Sequence, residues 1–280
     1  MAELGPVLVT GCSTGIGRAT ALRLATRGHT VYASARRPDS IADLEAQGCR
    51  LLALDVTDDE SMRAAVEAIE AEEGAVGALV NNAGYSQSGA VESVPLAEIR
   101  RQFETNVFGL VRLCQLVLPK MRERGAGRIV NVSSMGGKLV FPGGGIYHGT
   151  KHAVEAISDA LRFEVKGFGV DVVVVEPGTI RSNFADATSA AMAHNESGPY
   201  AAFNASVEQA TRDAYERGPL KLLGGGPDAV AKVIERALTA KSPRIRYKIT
   251  PSAHLLIRAR GLATDGMWDR FMASQFRRPS

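Results

Sequence analysis

The chain has 280 residues, 45% apolar and 22% charged, with a formal net charge of +3. That balance allows a sizeable buried core and argues against wholesale disorder, and the charge is too small to point to nucleic acid. Length alone does not demand two domains, since doubly wound α/β units often run this long. The three cysteines, Cys12, Cys49 and Cys114, have neither metal-ligand spacing nor a disulfide framework. Free thiols fit a reducing compartment. The opening residues lack a basic segment followed by an apolar one, and no run of about 18 apolar residues occurs. The expectation is a cytoplasmic protein without a secretory signal or transmembrane segment.

A short apolar run, a turn and a helical pattern recur along the chain. The first run is 7–10, followed by a glycine-rich turn and a helix over 16–26. Runs at 30–35 and 51–55 come next, then a polar amphipathic helix over 59–73. The fourth run is 76–80 and the fifth 128–133, with a long helix over 96–122 between them. A helix at 147–166 precedes the sixth run at 170–176. These runs are continuously apolar rather than alternating, as befits a parallel sheet covered on both faces. The expected fold is α/β: a single doubly wound Rossmann-type domain, with a mostly parallel seven-stranded sheet and helices on both faces. After Pro177 the order breaks into an excursion over 179–225, within which 201–216 has helical character. A helix at 227–239 and a short strand at 245–249 then restore the order. An excursion of that length is more often a functional lid than a connector. Within the one domain, 1–110 is expected mainly to bind cofactor, 111–250 to carry catalysis and substrate, and 251–280 to form a C-terminal extension.

The first run leads into Thr10-Gly11-Cys12-Ser13-Thr14-Gly15-Ile16-Gly17. Glycines there let backbone approach a phosphate, and the helix behind offers unpaired N–H groups and a positive dipole end. A glycine-rich turn alone is weak evidence; its place between strand and helix strengthens it. The second run ends at Ser34-Ala35-Arg36-Arg37. An acid here would bind the ribose 2′-hydroxyl of NAD(H), whereas an arginine fork suits the 2′-phosphate of NADP(H). Arg36 and Arg37 therefore favour NADP(H), weighed against two merely solvated arginines.

Thr10 to Gly17 resembles the cofactor turn of the short-chain dehydrogenase/reductase family. So do Asp55-Val56, Asn81-Asn82-Ala83-Gly84, Asn106, Ser134, Tyr147-His148-Gly149-Thr150-Lys151 and Pro177-Gly178, in family order. The chain looks most like the hydroxysteroid and retinol dehydrogenase-like branch. The resemblance implies that Gly11, Ser13, Thr14, Gly15, Ile16 and Gly17 surround the adenosine and pyrophosphate. It implies that Asp55, with Val56, reaches the adenine, and that Asn82, with Ala83 and Gly84, lies on the ribose side. Ile180, after Pro177 and Gly178, is expected to hold the nicotinamide carboxamide. One departure is Ser182, where the family commonly has threonine. Pairing through the long helices bearing Asn106 and Tyr147 is also implied, giving a homodimer or homotetramer.

Reducing a ketone by hydride transfer needs a proton donor at the developing alkoxide. Tyr147 and Lys151 stand four residues apart, one helical turn, so the lysine charge lies on the same face and favours tyrosinate. A Tyr-x3-Lys pair is by itself a common helix-surface accident. It gains meaning from the cofactor turn and from Ser134, which the family spacing selects over Ser133 to polarise the carbonyl. Asn106 completes the set, holding a water that connects Lys151 to solvent, and Lys151 is also expected to meet the nicotinamide ribose. The five histidines form no cluster and no metal site is expected; His148 is read as lying on another helix face from Tyr147.

Phe184, Met192, Tyr200, Phe203 and Tyr215 of the excursion are candidates for an apolar cover. Gly143-Gly144-Gly145 either leaves room above Tyr147 or permits a tight loop. The tail beyond Thr250 interleaves Trp268, Phe271, Met272 and Phe276 with Arg258, Arg260, Arg270, Arg277 and Arg278. That pattern suits packing on its own domain or on a neighbouring subunit with solvated arginines, or weak contact with an anionic membrane surface. The expected function is reduction of a bulky apolar carbonyl of steroid, retinoid or polyketide type. The competing readings are an NAD-dependent alcohol dehydrogenase and a non-catalytic nucleotide sensor.

Overall fold

The computed structural model describes residues 4–181, 198–216 and 222–279. Seven strands form one sheet: β1 (Val7–Val9), β2 (Val31–Ala35), β3 (Cys49–Ala53), β4 (Ala78–Asn81), β5 (Gly127–Val132), β6 (Val170–Pro177) and β7 (Arg246–Ile249). Their order is β3-β2-β1-β4-β5-β6-β7, and every pairing is parallel. Successive side chains of a strand point to opposite faces, and here both faces are apolar. Val7 and Val9 enter one core with Val130, Val132, Val173 and Val175, while Leu8, Ile129 and Val172 enter the other. Each such side chain contributes roughly 1.5–3 kcal/mol on burial, which is why the strands read as unbroken apolar runs.

Parallel neighbours need crossover connections, and helices supply them. On the first face lie α1 (Gly15–Ala25) and a helix over Pro227–Thr239, which bring Ala21, Leu24, Val230 and Ile234 to the core. On the second lie α2 (Asp59–Glu73), α4 (Gly109–Glu123) and α5 (Gly145–Val165), which bring Val66, Leu113, Val117 and Val154. Two local features depart from the sequence reading. A ten-residue 3-10 run, Pro38–Gln47, stands where no element is expected and buries Ile41 and Leu44; it is too short to show a helical period.

The expected long helix over 96–122 is divided into α3 (Leu96–Phe103), one π-helical turn (Glu104–Phe108) and α4. The extra residue of a π turn rotates the helix beyond it. It sets Gly109 against the carbonyl of Val56, so close that a β-carbon there would lie 2.1 Å from the oxygen.

Beyond Pro177 the described part of the excursion contains α6 (Ala201–Glu216), helical as expected, and α7 is the Pro227–Thr239 helix. The tail forms α8 (Pro251–Leu262) and α9 (Asp265–Gln275), each begun by a threonine whose hydroxyl accepts a first-turn N–H. Leu256, Trp268 and Met272 bury against Leu139, and the Trp268 indole N–H donates to the Val140 carbonyl at 3.2 Å. The tail therefore packs on its own domain. Among the described residues no helix is long and apolar enough to cross a membrane.

The close approach at Gly109 generates an expected outcome. Gly109→Ala forces α4 away from the Val56 turn and should destabilise the fold by about 1–3 kcal/mol, as overpacking does. The urea midpoint measures it; an unchanged midpoint would show that the contact relaxes freely.

Candidate active site

The sheet order reverses between β1 and β4, so their following connections leave in opposite directions and open a crevice at the strand ends. Side chains staple this point. The Thr10 hydroxyl oxygen accepts the N–H groups of Asn82 and Ala83, each at 2.9 Å. In return the Asn82 amide donates to the carbonyls of Thr10 at 2.9 Å and Gly11 at 3.2 Å. Gly11 and Gly15 hold φ of 70° and 60°, where side chains are disfavoured. A β-carbon on Gly11 would lie 2.9 Å from Ala83 Cα. The Thr14 side chain caps none of the first-turn N–H groups of α1. These features make a floor of bare backbone and a helix N-terminus suited to a phosphate.

A cavity of about 1200 Å³ runs from this floor to the tail helices. Its wall includes Gly11, Ser13, Thr14, Gly15, Ile16, Arg36, Asp55, Val56, Asn82, Ala83 and Gly84 at one end. Ser134, Tyr147, Lys151, Pro177, Gly178 and Ile180 stand further along. Three expected site residues do not reach the wall. Gly17 is buried beneath the turn, where a β-carbon would meet the Gly11 carbonyl oxygen at 2.3 Å, so it serves close packing. Arg37 is exposed at the start of the 3-10 run, whose Ser40 hydroxyl donates to its carbonyl at 2.6 Å. Of the two neighbouring arginines only Arg36 lines the cavity, which Arg101 of α3 also reaches.

Asn106, in the π turn, is the third. It is buried, its amide donating to the Tyr85 carbonyl at 2.9 Å and Thr150 Oγ1 at 3.0 Å, and its oxygen accepting the Tyr85 N–H at 3.1 Å. It stands behind Gly84: a β-carbon on Gly84 would lie 3.0 Å from Asn106 Oδ1 and 3.8 Å from Lys151 Nζ. The π turn thus sets Asn106 against Gly84, the same side-chain-free residue that Lys151 of α5 approaches.

At the centre, Lys151 Nζ donates to the Val132 carbonyl at 2.9 Å and lies 5.9 Å from the centroid of the Tyr147 ring. Burial pushes the Tyr147 hydroxyl up to about 12, and the hydrogen bond with Ser134 acts the other way. Lys151 is pushed down to about 8, by burial first, with the Glu155 carboxylate opposing. Burial thus dominates at Tyr147, with Ser134 the opposing group, and the phenol stays protonated at neutral pH. Ser134 is the serine that meets Tyr147, and its oxygen also accepts the Gly136 N–H at 3.0 Å. Ser133 turns the other way, towards Gly137 and Glu155.

The far end of the cavity is mainly apolar, with Thr211, Asp213 and Gln275 as polar side chains among its lining, and was only partly legible. Phe141, Leu256, Phe271, Met272 and Phe276 line it from the loop and the tail, and Val207, Ala214 and Tyr215 from α6. Tyr215 is held protonated by burial first and by nearby Tyr147 second. Gly143, at φ 77°, makes room for Val207, where a β-carbon would lie 2.5 Å from its methyl. Phe184 and Met192 lie outside the described residues. His148 corrects the sequence reading: it belongs to the cavity wall, its ring 5.6 Å edge-on from Tyr147 and 5.9 Å from Phe141. Gly136 and Gly144 make the space, since a β-carbon on either would lie within 2.6 Å of the imidazole. No helical period announces such a fit.

With this geometry in hand, comparisons decide the family. The short chain dehydrogenase model matches residues 6–193. The chain belongs to the short-chain dehydrogenase family. This short-chain dehydrogenase is 36% identical over 252 residues to the 3-ketodihydrosphingosine reductase of Bacteroides thetaiotaomicron, covering 89% of each chain. It is 34% identical over 273 residues to the NADPH-dependent 3-dehydrocapnine reductase of Ornithobacterium rhinotracheale, covering 94% of each. A short-chain dehydrogenase from Streptomyces avermitilis superposes with a TM-score of 0.76 at 36% identity, over 96% of this chain and 94% of that one.

His148 carries a pH prediction for this dehydrogenase. Burial pulls its imidazole from the ordinary 6.5 to about 4. The unfolded chain takes up that proton as pH falls below 6.5, the folded chain only near 4, so the stabilisation is complete above 6.5 and drains towards 4. His148→Asn should flatten the acid limb of stability in urea titrations across that window; an unaltered limb would assign it to other groups.

Proposed function

We propose that this short-chain dehydrogenase is an NADP(H)-dependent reductase of a ketone on a bulky apolar molecule, with long-chain 3-ketones as the favoured class. The observation that carries the reading is one continuous cavity. Arg36 and bare glycine backbone stand at one end, Ser134, Tyr147 and Lys151 in the middle, and an apolar chamber at the other. The floor fits a dinucleotide, because the positive-φ glycines leave backbone room and uncapped N–H groups beside the Asp55 and Arg36 strand ends. Gly11, Ser13, Thr14, Gly15, Ile16, Asp55, Val56, Asn82, Ala83 and Gly84 would hold its nucleotide side. Pro177, Gly178, Ile180 and Lys151 would hold the nicotinamide side.

NADPH, when bound, supplies the hydride. The remaining work falls to the chain. Ser134 holds the carbonyl oxygen by hydrogen bonding, and the Tyr147 hydroxyl gives that oxygen its proton as negative charge develops. The phenol, at about 12, is in the protonated form a donor needs. Lys151, near 8, is mostly charged at neutral pH and offsets the tyrosinate left behind. Asn106 is assigned the water that returns a proton through Lys151. The protein excludes bulk water through α6 and the tail, which strengthens each of these interactions.

Two relatives carry names that point to 3-ketones, 3-ketodihydrosphingosine and 3-dehydrocapnine, and one is named NADPH-dependent. The apolar chamber suits the long aliphatic chain of such a sphingoid ketone. Steroid, retinoid and polyketide ketones share the bulk and are the natural comparison substrates. Phe108 beside α4 and Phe163 on α5 are 54% and 88% exposed; they support a homodimer or homotetramer formed through these helices.

NADPH oxidation should be fastest with 3-ketodihydrosphingosine in a panel including a steroid ketone, retinal, a polyketide-like β-ketone and small polar aldehydes. Activity confined to the small polar carbonyls would overturn the substrate class. Tyr147→Phe should lower kcat by about 10²–10⁴-fold while NADPH affinity stays within a few-fold, and full activity in that variant would remove the proton-donor role. Arg36→Asp should weaken NADPH binding by roughly 10–100-fold, the worth of a charge-assisted contact, with little effect on NADH. Equal changes for both cofactors would remove the 2′-phosphate role.

A further inference from the structure

Behind the cavity lies a group of buried charges that takes no direct part in hydride or proton transfer. Glu155 stands one turn after Lys151 on α5, with its side chain 5% exposed, and Glu176 on β6 is fully buried immediately before Pro177. Glu155 pairs with Lys138 at 2.8 Å and with Arg246 of β7 at 3.1 Å. Arg246 also reaches Glu176 at 3.2 Å and Asp159 at 2.6 Å, and Asp159 takes Arg162 as a second partner at 2.5 Å. One guanidinium therefore bridges α5, β6 and β7, while Lys138 brings in the loop that begins at Ser134.

The packing under Lys151 leaves no slack. A β-carbon on Gly137 would lie 2.8 Å from Ser133 Oγ, 2.9 Å from Glu155 Cγ and 3.0 Å from the Lys151 carbonyl. The cluster thus touches the backbone of Lys151 and the loop carrying Ser134, and it ends beside Pro177 and Gly178. Its charges balance in number, three cations against three anions. With Asp159 neutralised by Arg162, Lys138 and Arg246 face Glu155 and Glu176. Glu155 keeps one oxygen, and Glu176 both, with no hydrogen-bond partner among the described residues. Charges buried in this way interact strongly because little water screens them.

We propose that Glu155 is a positioning residue: its buried carboxylate, clasped by Arg246 and Lys138, holds a negative charge one helical turn behind Lys151 and fixes the loops of Ser134 and Pro177 around it. The proposal rests on the reading of Lys151 as the cationic partner of Tyr147. The groups that face Lys151 are Tyr147 and Glu155 on α5 and Asn106 on the π turn, with Glu176 on β6, Arg246 on β7 and Lys138 on the Ser134 loop in the cluster beyond. Burial acts against the lysine charge, and Glu155 is the anion that opposes it. Glu176 is itself raised above the usual carboxylate range, by burial first and by Glu155 next.

The sign of the effect distinguishes this role from simple scaffolding. Glu155→Gln removes the anion and should move the alkaline limb of kcat/KM to lower pH by about half a unit or more. Lys138→Gln removes a cation that competes for Glu155 and should move the same limb to higher pH, and Glu155→Asp should restore the wild-type position. NADPH affinity against pH, read from energy transfer to the nicotinamide, should show the same shifts without turnover. Limbs that stay in place in both variants while activity falls would overturn the proposal, as would shifts in the same direction. If Glu155→Gln does not fold, Lys138→Gln at the half-exposed end of the cluster carries the test alone. If the wild type reduces no ketone, the reductase function fails, and the binding measurement still decides for or against Glu155.

Discussion

The exchange of hydrogen bonds between Thr10 and Asn82 is the constraint on which the rest depends. A doubly wound sheet leaves a gap where its strand order reverses, and that gap is useful only if its two lips are held at fixed separation. The Thr10 hydroxyl takes two backbone N–H groups from the β4 turn, and the Asn82 amide takes two carbonyls from the β1 turn. Both turns are thereby relieved of unpaired backbone groups without spending the N–H groups of α1. The lips can then be made of glycine, because their geometry comes from the staple and not from side-chain packing. Gly17 contributes by letting α1 close on the Gly11 carbonyl, a role in which it touches no ligand.

From that rigid end the electrostatics of the centre follow by burial. Tyr147 and Lys151 share a face of α5 that is pressed against the sheet edge, and the same lack of water moves them in opposite directions, the phenol up and the ammonium down. In the proposed reaction, a tyrosine so placed holds its proton until a stronger base, the developing alkoxide, appears beside it. The lysine is the more precarious of the pair, since a modest further loss of negative charge nearby would discharge it near neutral pH. This is why the buried anions behind it matter to a reaction they never touch.

How much of this was legible in the sequence depends on the range of the interaction. The strands were readable because unbroken valine runs have one explanation in a parallel sheet. Tyr147, Lys151 and Ser134 were singled out because residue type and order repeat a known pattern, and the structure brings these three to one cavity wall, with Asn106 buried behind Gly84. The π turn was not, because it differs from an α-helix by one hydrogen-bond register and leaves the apolar period of 96–122 nearly intact. His148 was missed because its place is decided by absent side chains at Gly136 and Gly144, and a periodic reading of α5 turns it away. Arg246 bonds to Glu155 across 91 positions; no local pattern joins a β7 arginine to an α5 glutamate. The tail was read correctly as packing on its own domain, but not as a wall of the cavity.

The division between legible and illegible has a physical origin that bears on specificity. Binding a dinucleotide needs backbone geometry at one strand-to-helix turn, which a short motif can specify. Choosing a substrate needs a shape assembled from three separate pieces: the loop at Phe141, the helix α6 and the pair α8 and α9. None of these contributes a backbone contact that demands a particular residue, so each can change its side chains while the sheet and staple stay the same. Trp268 illustrates the limit on that freedom. Its indole donates to the Val140 carbonyl and its ring lies 6.5 Å from Phe141, so the tail and the loop form one unit. A change of substrate is therefore easiest at Ala214, which lines the chamber outside both packing clusters, and hardest at Trp268, where a new shape would also undo the wall.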